Sequence, residues 1–289
     1  MGIFKKIHVI TKMIFIKFKE TFKYFYIEIL YFVYANISYN IIKIKTESPL
    51  NKNEFYLYLT PNWYHDFSVL GLKTYQYQGV GYKLHQEIKQ KVIFDYINKA
   101  IKLCKTDNFV PLSAVELFCA DGYFANYLVI NGVDQVMGID LEEESGEGKQ
   151  RHSVLDQGRL ATKLLGNMDK IDFYKQDVFS LDKNFDIGIC VGGLYHITDP
   201  KKLLELLNKK ISKYLVVQTV VSLANEDENY FESPAPNWTW GCRFSHKYLL
   251  KMLEQTGWTI LEESRNELLD NTSLSDRGSS YCLCVNKNL

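Results

Sequence analysis

The sequence lacks the pieces that mark several common chemistries. Its six cysteines, at positions 104, 119, 190, 242, 282 and 284, contain no C-x-x-C pair, which excludes the usual thiolate framework of a structural zinc site or a redox dithiol. Several fall inside apolar runs, where a thiol serves as a small core group. The expectation is a reducing, cytoplasmic setting and no bound metal. Net charge is missing too: 34 Lys and Arg balance 34 Asp and Glu among 289 residues, so no global field draws the chain to nucleic acid or to an acidic membrane. No G-x-G-x-x-G cluster follows an apolar strand, which argues against a pyrophosphate cofactor held on backbone amides. No small-residue cleavage site follows a compact apolar run near the N-terminus, so a removable signal peptide is not expected.

Apolar residues, 46% of the chain, are ample for a core. The first of them form a helical stripe, with Ile3, Ile7, Ile10, Ile14, Phe18, Phe22, Phe25, Ile29 and Phe32 spaced by threes and fours and Lys5, Lys12, Lys19 and Lys23 lying off it. Tyr24 to Ile42 has the length of a membrane span. Glu28, Asn36, Ser38 and Asn40 interrupt it, however, and one central carboxylate alone costs roughly 2.5–3.5 kcal/mol on insertion. The stripe therefore predicts a helix that packs on the rest of the chain, on a second subunit, or flat on a membrane surface. Next comes Asn62-Trp63-Tyr64-His65, then a stretch with Gly71, Gly79 and Gly81 among Tyr75, Tyr77 and Tyr82. It is too glycine-rich for a regular helix and too aromatic for a free linker. Three parts are expected: a helical extension over 1–45, an aromatic and glycine segment over 46–90 that folds over a site, and an α/β domain over 91–289.

The α/β reading rests on four apolar strands, each with polar or glycine residues at its carboxyl end. Ala114 to Gly122, AVELFCADG, reads as a buried strand running into an acidic-glycine turn, with a helix from Tyr123 whose first N–H groups point into the crevice beyond the strand. Glu116 and Asp121 place carboxylates there; they suit a cationic or hydroxyl-rich ligand, and the alternative is that they cap the helix. Gln135 to Ile139 ends in Asp140, about twenty residues past the turn, where an acid binds ribose hydroxyls. Ile171 to Lys175 ends in Gln176-Asp177-Val178. Phe185 to Val191 ends in Gly192-Gly193-Leu194-Tyr195-His196.

In that order the segment from about Val92 onward resembles the class I S-adenosylmethionine-dependent methyltransferases. The resemblance implies a Rossmann-like seven-stranded sheet with helices on both faces, closed by a reversed strand pair, here Trp258 to Glu262 with Tyr281 to Val285. It implies S-adenosylmethionine as cofactor: the methionine part on Glu116, Phe118, Cys119, Ala120, Asp121 and Gly122, the ribose on Asp140 with Leu141, the adenine on Asp177 and Val178, and the transferable methyl beside Val191 and Gly192. Phe118 stands where the family's first turn carries a glycine. Trp63-Tyr64-His65 and Leu194 to Pro200, LYHITDP, further resemble a subgroup related to the tRNA wobble-uridine carboxymethyl transferases.

The chemistry is expected at Tyr195 and His196. An imidazole titrates near neutral pH and can take a hydroxyl proton; otherwise His196 only shapes its loop. Asp199 before Pro200 reads as a helix N-cap. His65, Trp63 and Tyr64 reach over the pocket, or else His65 is structural. The insertion Asn225 to Arg243 opens with Glu226-Asp227-Glu228, which repels a phosphate backbone, and offers Trp240 and Arg243 as a wall for a ring or anionic group. The expected reaction is oxygen methylation of a small or saccharide-like acceptor. The alternatives are a wobble-uridine enzyme and a catalytically silent cofactor-binding subunit. Expected partners are the small acceptor, a second copy of the chain through the N-terminal helix, and a membrane surface in peripheral contact, with nucleic acid disfavoured.

Overall fold

A computed structural model describes residues 52–59, 63–74, 80–105, 111–142, 153–268 and 277–288. The N-terminal stripe lies outside them. The chain divides into two compact units, residues 1–61 and 62–289. In the first, α1 spans Lys52–Leu59; everything below concerns the second. Among the described residues no helix is long and apolar enough to cross a membrane.

After a 3-10 turn at Phe67–Leu70, the second unit runs α2 (Val80–Lys105), β1 (Ser113–Leu117), α3 (Tyr123–Ile130), β2 (Gln135–Asp140), α4 (Val154–Leu164), β3 (Ile171–Lys175), β4 (Phe185–Val191), α5 (Pro200–Lys210) and β5 (Ile211–Ser222). The short strands β6 (Phe231–Glu232) and β7 (Arg243–Phe244) follow, then α6 (His246–Gln255), β8 (Trp258–Glu267) and β9 (Arg277–Asn286). The main sheet has seven strands in the order β3-β2-β1-β4-β5-β9-β8. The first five are parallel; β9 runs antiparallel to both β5 and β8. This is the Rossmann-like methyltransferase sheet, reversed strand included.

Burial explains why the central strands are apolar throughout. Successive side chains of a strand point to opposite faces. Val115, Leu117, Ile139, Cys190 and Val217 pack with Leu203, Leu207, Leu249 and Met252 of α5 and α6 on one face. Ala114, Ile187 and Val216 are sealed on the other, where α2 and α3 lie against the sheet. Helices on both faces leave no polar face to the central parallel strands, whereas β3, at the edge, exposes Asp172, Tyr174 and Lys175. The edge strand β8 differs. Its residues alternate after the buried Trp258, one half-buried and the next exposed, as one solvated face requires, so Glu262 to Glu267 belong to a strand longer than their charge suggests. All six cysteines are free and buried.

Chain order reverses between β1 and β4, because β2 and β3 extend to one side of β1 and the chain then returns to start β4 on the other. Ligands of open α/β sheets bind at such a switch point, beyond the carboxyl ends of the strands.

Candidate active site

The turn after β1 is built from left-handed backbone: Phe118 has φ 56°, Ala120 φ 46° and Gly122 φ 68°. For the two non-glycine residues that conformation costs on the order of 1–3 kcal/mol each and persists only where surroundings enforce it. One enforcing contact is visible. The Ala120 N–H donates to Asp140 Oδ2 at 3.0 Å, and the Glu142 N–H donates to Asp140 Oδ1 at 2.8 Å. Asp140 thus ties the β1 turn to the end of β2 while staying half-buried. Burial raises its carboxyl above the usual range, against the two N–H donors that lower it. Leu141 beside it is 40% exposed, an apolar group at the rim.

Phe118 fits because of Gly193. The Phe118 ring lies where a side chain at 193 would have to go, so any Cβ there would drive into the ring. The glycine absent from the first turn is matched by one in the β4 loop, and the half-buried ring packs against the core.

The two acids of the first strand and turn face inward. Glu116, 2% exposed, accepts the Ala125 N–H at 2.7 Å and so satisfies one free donor of the α3 N-terminus. Burial holds its carboxyl well above the ordinary range, and the negative charges of Asp121 and Asp140 push the same way. Asp121, fully buried, accepts the His65 N–H at 2.8 Å and pairs with His65 Nδ1 at 2.6 Å. His65 is 3% exposed and stacks on Tyr123, with centroids 4.7 Å apart and planes 11° from parallel. The structure therefore joins two sequence-nominated residues, 56 positions apart, as a buried brace that fixes the Trp-Tyr-His segment onto the turn. Trp63 is sealed at 2% exposure, edge-on to Phe67 at 5.5 Å. Tyr64 is half-buried with its ring edge-on to His65.

A prediction follows from the Glu116 environment. Its folded pKa is raised, so its contribution to stability is fully present below the unfolded value near ~4.3 and is lost as pH rises through the folded one. Glu116→Gln keeps an acceptor for the Ala125 N–H and cannot ionise. The variant should gain on the parent as pH rises from about 4.5 to 8, by on the order of 1 kcal/mol. Urea denaturation at the two pH values measures this, and a difference that stays constant or shrinks contradicts it.

At the end of β3, Asp177 is exposed and caps the 3-10 turn Val178–Ser180, accepting the Phe179 N–H at 2.9 Å; Val178 is buried. Cys119 is buried after β1, and burial lifts its thiol far above the ordinary range, so it stays unionised. At the end of β4, Val191 is 7% exposed and the Gly192 N–H donates to the Gln218 carbonyl at 3.0 Å.

Tyr195 and His196 sit in a 3-10 turn, Leu194–His196, ahead of α5, where Asp199 accepts the Lys202 N–H at 3.0 Å with Pro200 opening the helix. The insertion between β5 and α6 is fastened onto this turn. The Cys242 N–H donates to the Tyr195 carbonyl at 2.9 Å. Gly241, at φ 71°, passes so close to that carbonyl that a Cβ would collide with it. Trp240 then stacks on His196, centroids 5.0 Å apart and planes 7° from parallel. Trp238 lies 4.4 Å from Trp240, and Tyr195 lies 4.1 Å from the His196 ring. Burial pulls the His196 pKa down to about 4, so its imidazole is neutral at pH 7.

Arg243 does not join this cluster as a wall: it is 2% exposed, inside β7. The guanidinium at the aromatics is that of Arg277, 5.0 Å over the Trp238 ring, carried by the amino end of β9 where it pairs with Ser222 at the carboxyl end of β5. Sequence reasoning passed over Arg277, which acquires its meaning from Trp238, a partner distant in the chain. The reversed final strand was the one available signal for Arg277, since its amino end must lie beside the carboxyl end of β5.

A family described as a methyltransferase domain matches residues 85–263. A curated tRNA U34 carboxymethyltransferase from Helicobacter hepaticus is 23% identical over 175 residues, which cover 54% of this chain and 54% of that protein; the chain spans about half the length of the curated relative it matches. Among solved structures, magnesium protoporphyrin IX methyltransferase from Synechocystis PCC 6803 with bound S-adenosylmethionine superposes with a TM-score of 0.50 at 16% identity, over 72% of this chain and 85% of that one. A putative S-adenosylmethionine-dependent methyltransferase from Listeria monocytogenes gives 0.46 at 12% identity, over 65% and 98%.

Proposed function

We propose, from the premise that this chain belongs to the methyltransferase-domain family and is an S-adenosylmethionine-dependent methyltransferase, that it methylates an oxygen on a compact, small-molecule or saccharide-like acceptor. The observation that carries this reading is the stack of His196 on Trp240 beside Tyr195, at the carboxyl end of β4.

The residues present fit the cofactor. Asp140 is held by two backbone donors yet is only half-buried, which suits it to ribose hydroxyls. Leu141 offers an apolar rim and Asp177-Val178 the neighbouring edge for adenine, while the left-handed turn Phe118–Gly122 presents backbone to the methionine part. When bound, S-adenosylmethionine supplies an electrophilic methyl group. The remaining task is to align a nucleophile and take its proton. His196, neutral at pH 7, presents a lone pair for a hydroxyl proton; the Trp240 plane fixes the ring's orientation and keeps water from one face, and the Tyr195 ring packs 4.1 Å from the same imidazole.

Charge supports a compact acceptor. The insertion opens with Glu226, Asp227 and Glu228, and the chain has no excess of positive charge, so a docked polyanion would meet repulsion near the site and little steering elsewhere. Ion pairs within the fold reduce that repulsion, Glu226 with Arg265 at 2.7 Å and Glu228 with Lys251 at 3.1 Å, so the lack of positive steering is the larger effect. Total tRNA is therefore expected to bind no better than a nonspecific polyanion at physiological salt, and Trp240→Ala to lower kcat/KM for the acceptor by about tenfold or more while leaving the cofactor Kd unchanged. Filter binding and calorimetry read these outcomes. The 23%-identical tRNA-modifying relative supplies the contrary one: salt-sensitive, tight tRNA binding would move the assignment to a wobble-uridine enzyme.

A further inference from the structure

The face of the sheet that α2 and α3 cover turns polar where β5 meets β9. Alternation puts Gln218 of β5 on that face with Val216. The register sets it between Val191, the last residue of β4, and Tyr281 of β9, so the three side chains point the same way. Ser279, two residues before Tyr281, shares the face. The polar trio is sealed: Gln218 is 2% exposed, Tyr281 1% and Ser279 0%. Only part of its hydrogen-bonding capacity is used. Gln218 Nε2 donates to Ser279 Oγ at 2.7 Å, whereas Gln218 Oε1 and Tyr281 Oη complete no hydrogen bond with a described residue. Turning the Gln218 amide over would exchange its two ends and still leave one of them uncommitted. Buried polar groups left in this way are costly, which is why folded proteins pair them. Burial raises the Tyr281 pKa to about 12, with Ser279 opposing the shift, so the phenol keeps its proton.

Two ties connect this spot to the candidate active site. The Gln218 carbonyl accepts the Gly192 N–H at 3.0 Å, at the start of the loop that carries Tyr195 and His196. Along β9 the same face continues to Arg277, whose guanidinium lies 5.0 Å over the Trp238 ring; Trp238 in turn adjoins Trp240, the ring stacked on His196. What Gln218 and Tyr281 offer there is two neutral hydrogen-bonding ends on directly facing residues. We infer that Gln218 and Tyr281 bind a neutral hydroxyl of the acceptor, one other than the hydroxyl that is methylated. A hydroxyl both donates and accepts, so a single such group serves both ends. This rests on the oxygen-methylation reading and adds the residues that select an acceptor with a second hydroxyl over one that lacks it. Neither residue moves a proton at the reacting oxygen.

The test uses Tyr281→Phe, which deletes one hydroxyl, and Gln218→Leu, which replaces the amide by an apolar group of similar size. Each protein receives S-adenosylmethionine with a labelled methyl and the small-molecule fraction of a cell extract, and mass spectrometry follows the label. Both variants should transfer it at least tenfold more slowly than the unaltered protein when the fraction is dilute, and the deficit should shrink as the fraction is concentrated, as a loss of acceptor binding requires. The Tyr281→Phe protein should unfold at no lower urea concentration than the unaltered one, because its missing hydroxyl had no partner to lose. Ordinary transfer by both variants at every dilution overturns the assignment. So does a deficit that persists unchanged on concentration, and a Tyr281→Phe protein that unfolds at distinctly lower urea makes the hydroxyl a structural group instead. If the unaltered protein labels no small molecule, the oxygen-methylation reading fails and this assignment with it, an outcome distinct from the others.

Discussion

His196→Ala is expected to lower turnover by about 10²–10⁴-fold, the usual worth of a positioned general base, with the Kd for S-adenosylmethionine unchanged. The ring sits against Trp240 and Tyr195 and makes no hydrogen bond to Asp140 or to the backbone of the β1 turn, so its loss removes a proton acceptor and leaves the Asp140 contacts to Ala120 and Glu142 in place. The pH dependence gives an independent check. A base must be unprotonated, and burial sets the His196 pKa at about 4; activity should therefore show no ionisation near 6.5 and fall only as pH approaches about 4. An NMR titration of the His196 ring would show the same displacement. A variant with ordinary turnover reduces His196 to a support for the loop, and an acidic limb near 6.5 that vanishes in the variant contradicts the burial argument while retaining the base.

Asp140→Ala should weaken S-adenosylmethionine binding at least tenfold. Hydrogen bonds to a charged group are worth about 1.5–3 kcal/mol each, and about 1.4 kcal/mol is tenfold in affinity. The substitution has a second consequence, because Asp140 also receives the Ala120 and Glu142 N–H groups and its loss frees a turn held in left-handed backbone. Asp140→Asn separates the two effects: the amide keeps one acceptor oxygen for the turn but loses the charge, so it should fall between the parent and the alanine variant. Calorimetry with all three proteins reads this order. An alanine variant with the parent's Kd removes Asp140 from the site.

The sheet was legible because its signals are local. Short runs of strand length fall at Leu117, Asp140, Lys175 and Val191, each with polar or glycine residues at or just past its carboxyl end, and their order and spacing locate them. The reversed pair β8–β9 was legible in kind but short in extent: Ser264, Arg265 and Asn266 are polar because one face of an edge strand meets water, and in a sequence that pattern looks like a loop. Side-chain partners were less visible. Glu116 and Asp121 read as carboxylates open to a ligand, yet the fold turns one to the α3 amides and the other to His65. Nothing near position 121 announces a histidine from the preceding segment. Phe118 read as a departure from the family's turn, and only the β4 loop shows that Gly193 receives its ring. Arg243 stands beside Trp240 in sequence, but β7 carries it inward, while Arg277 arrives from a strand more than thirty residues later. The amphipathic N-terminal stripe lies outside the described residues.

The most direct measurement of the central claim is the destination of the methyl group. Purified protein is incubated with S-adenosylmethionine carrying an isotopically labelled methyl in a cell extract, which is then separated into small-molecule and RNA fractions for mass spectrometry. The proposed chemistry predicts label in the small-molecule fraction, as an oxygen-bound methyl on a compact acceptor, and its loss with the His196→Ala protein. Label accumulating in tRNA, with none in small molecules, would contradict it.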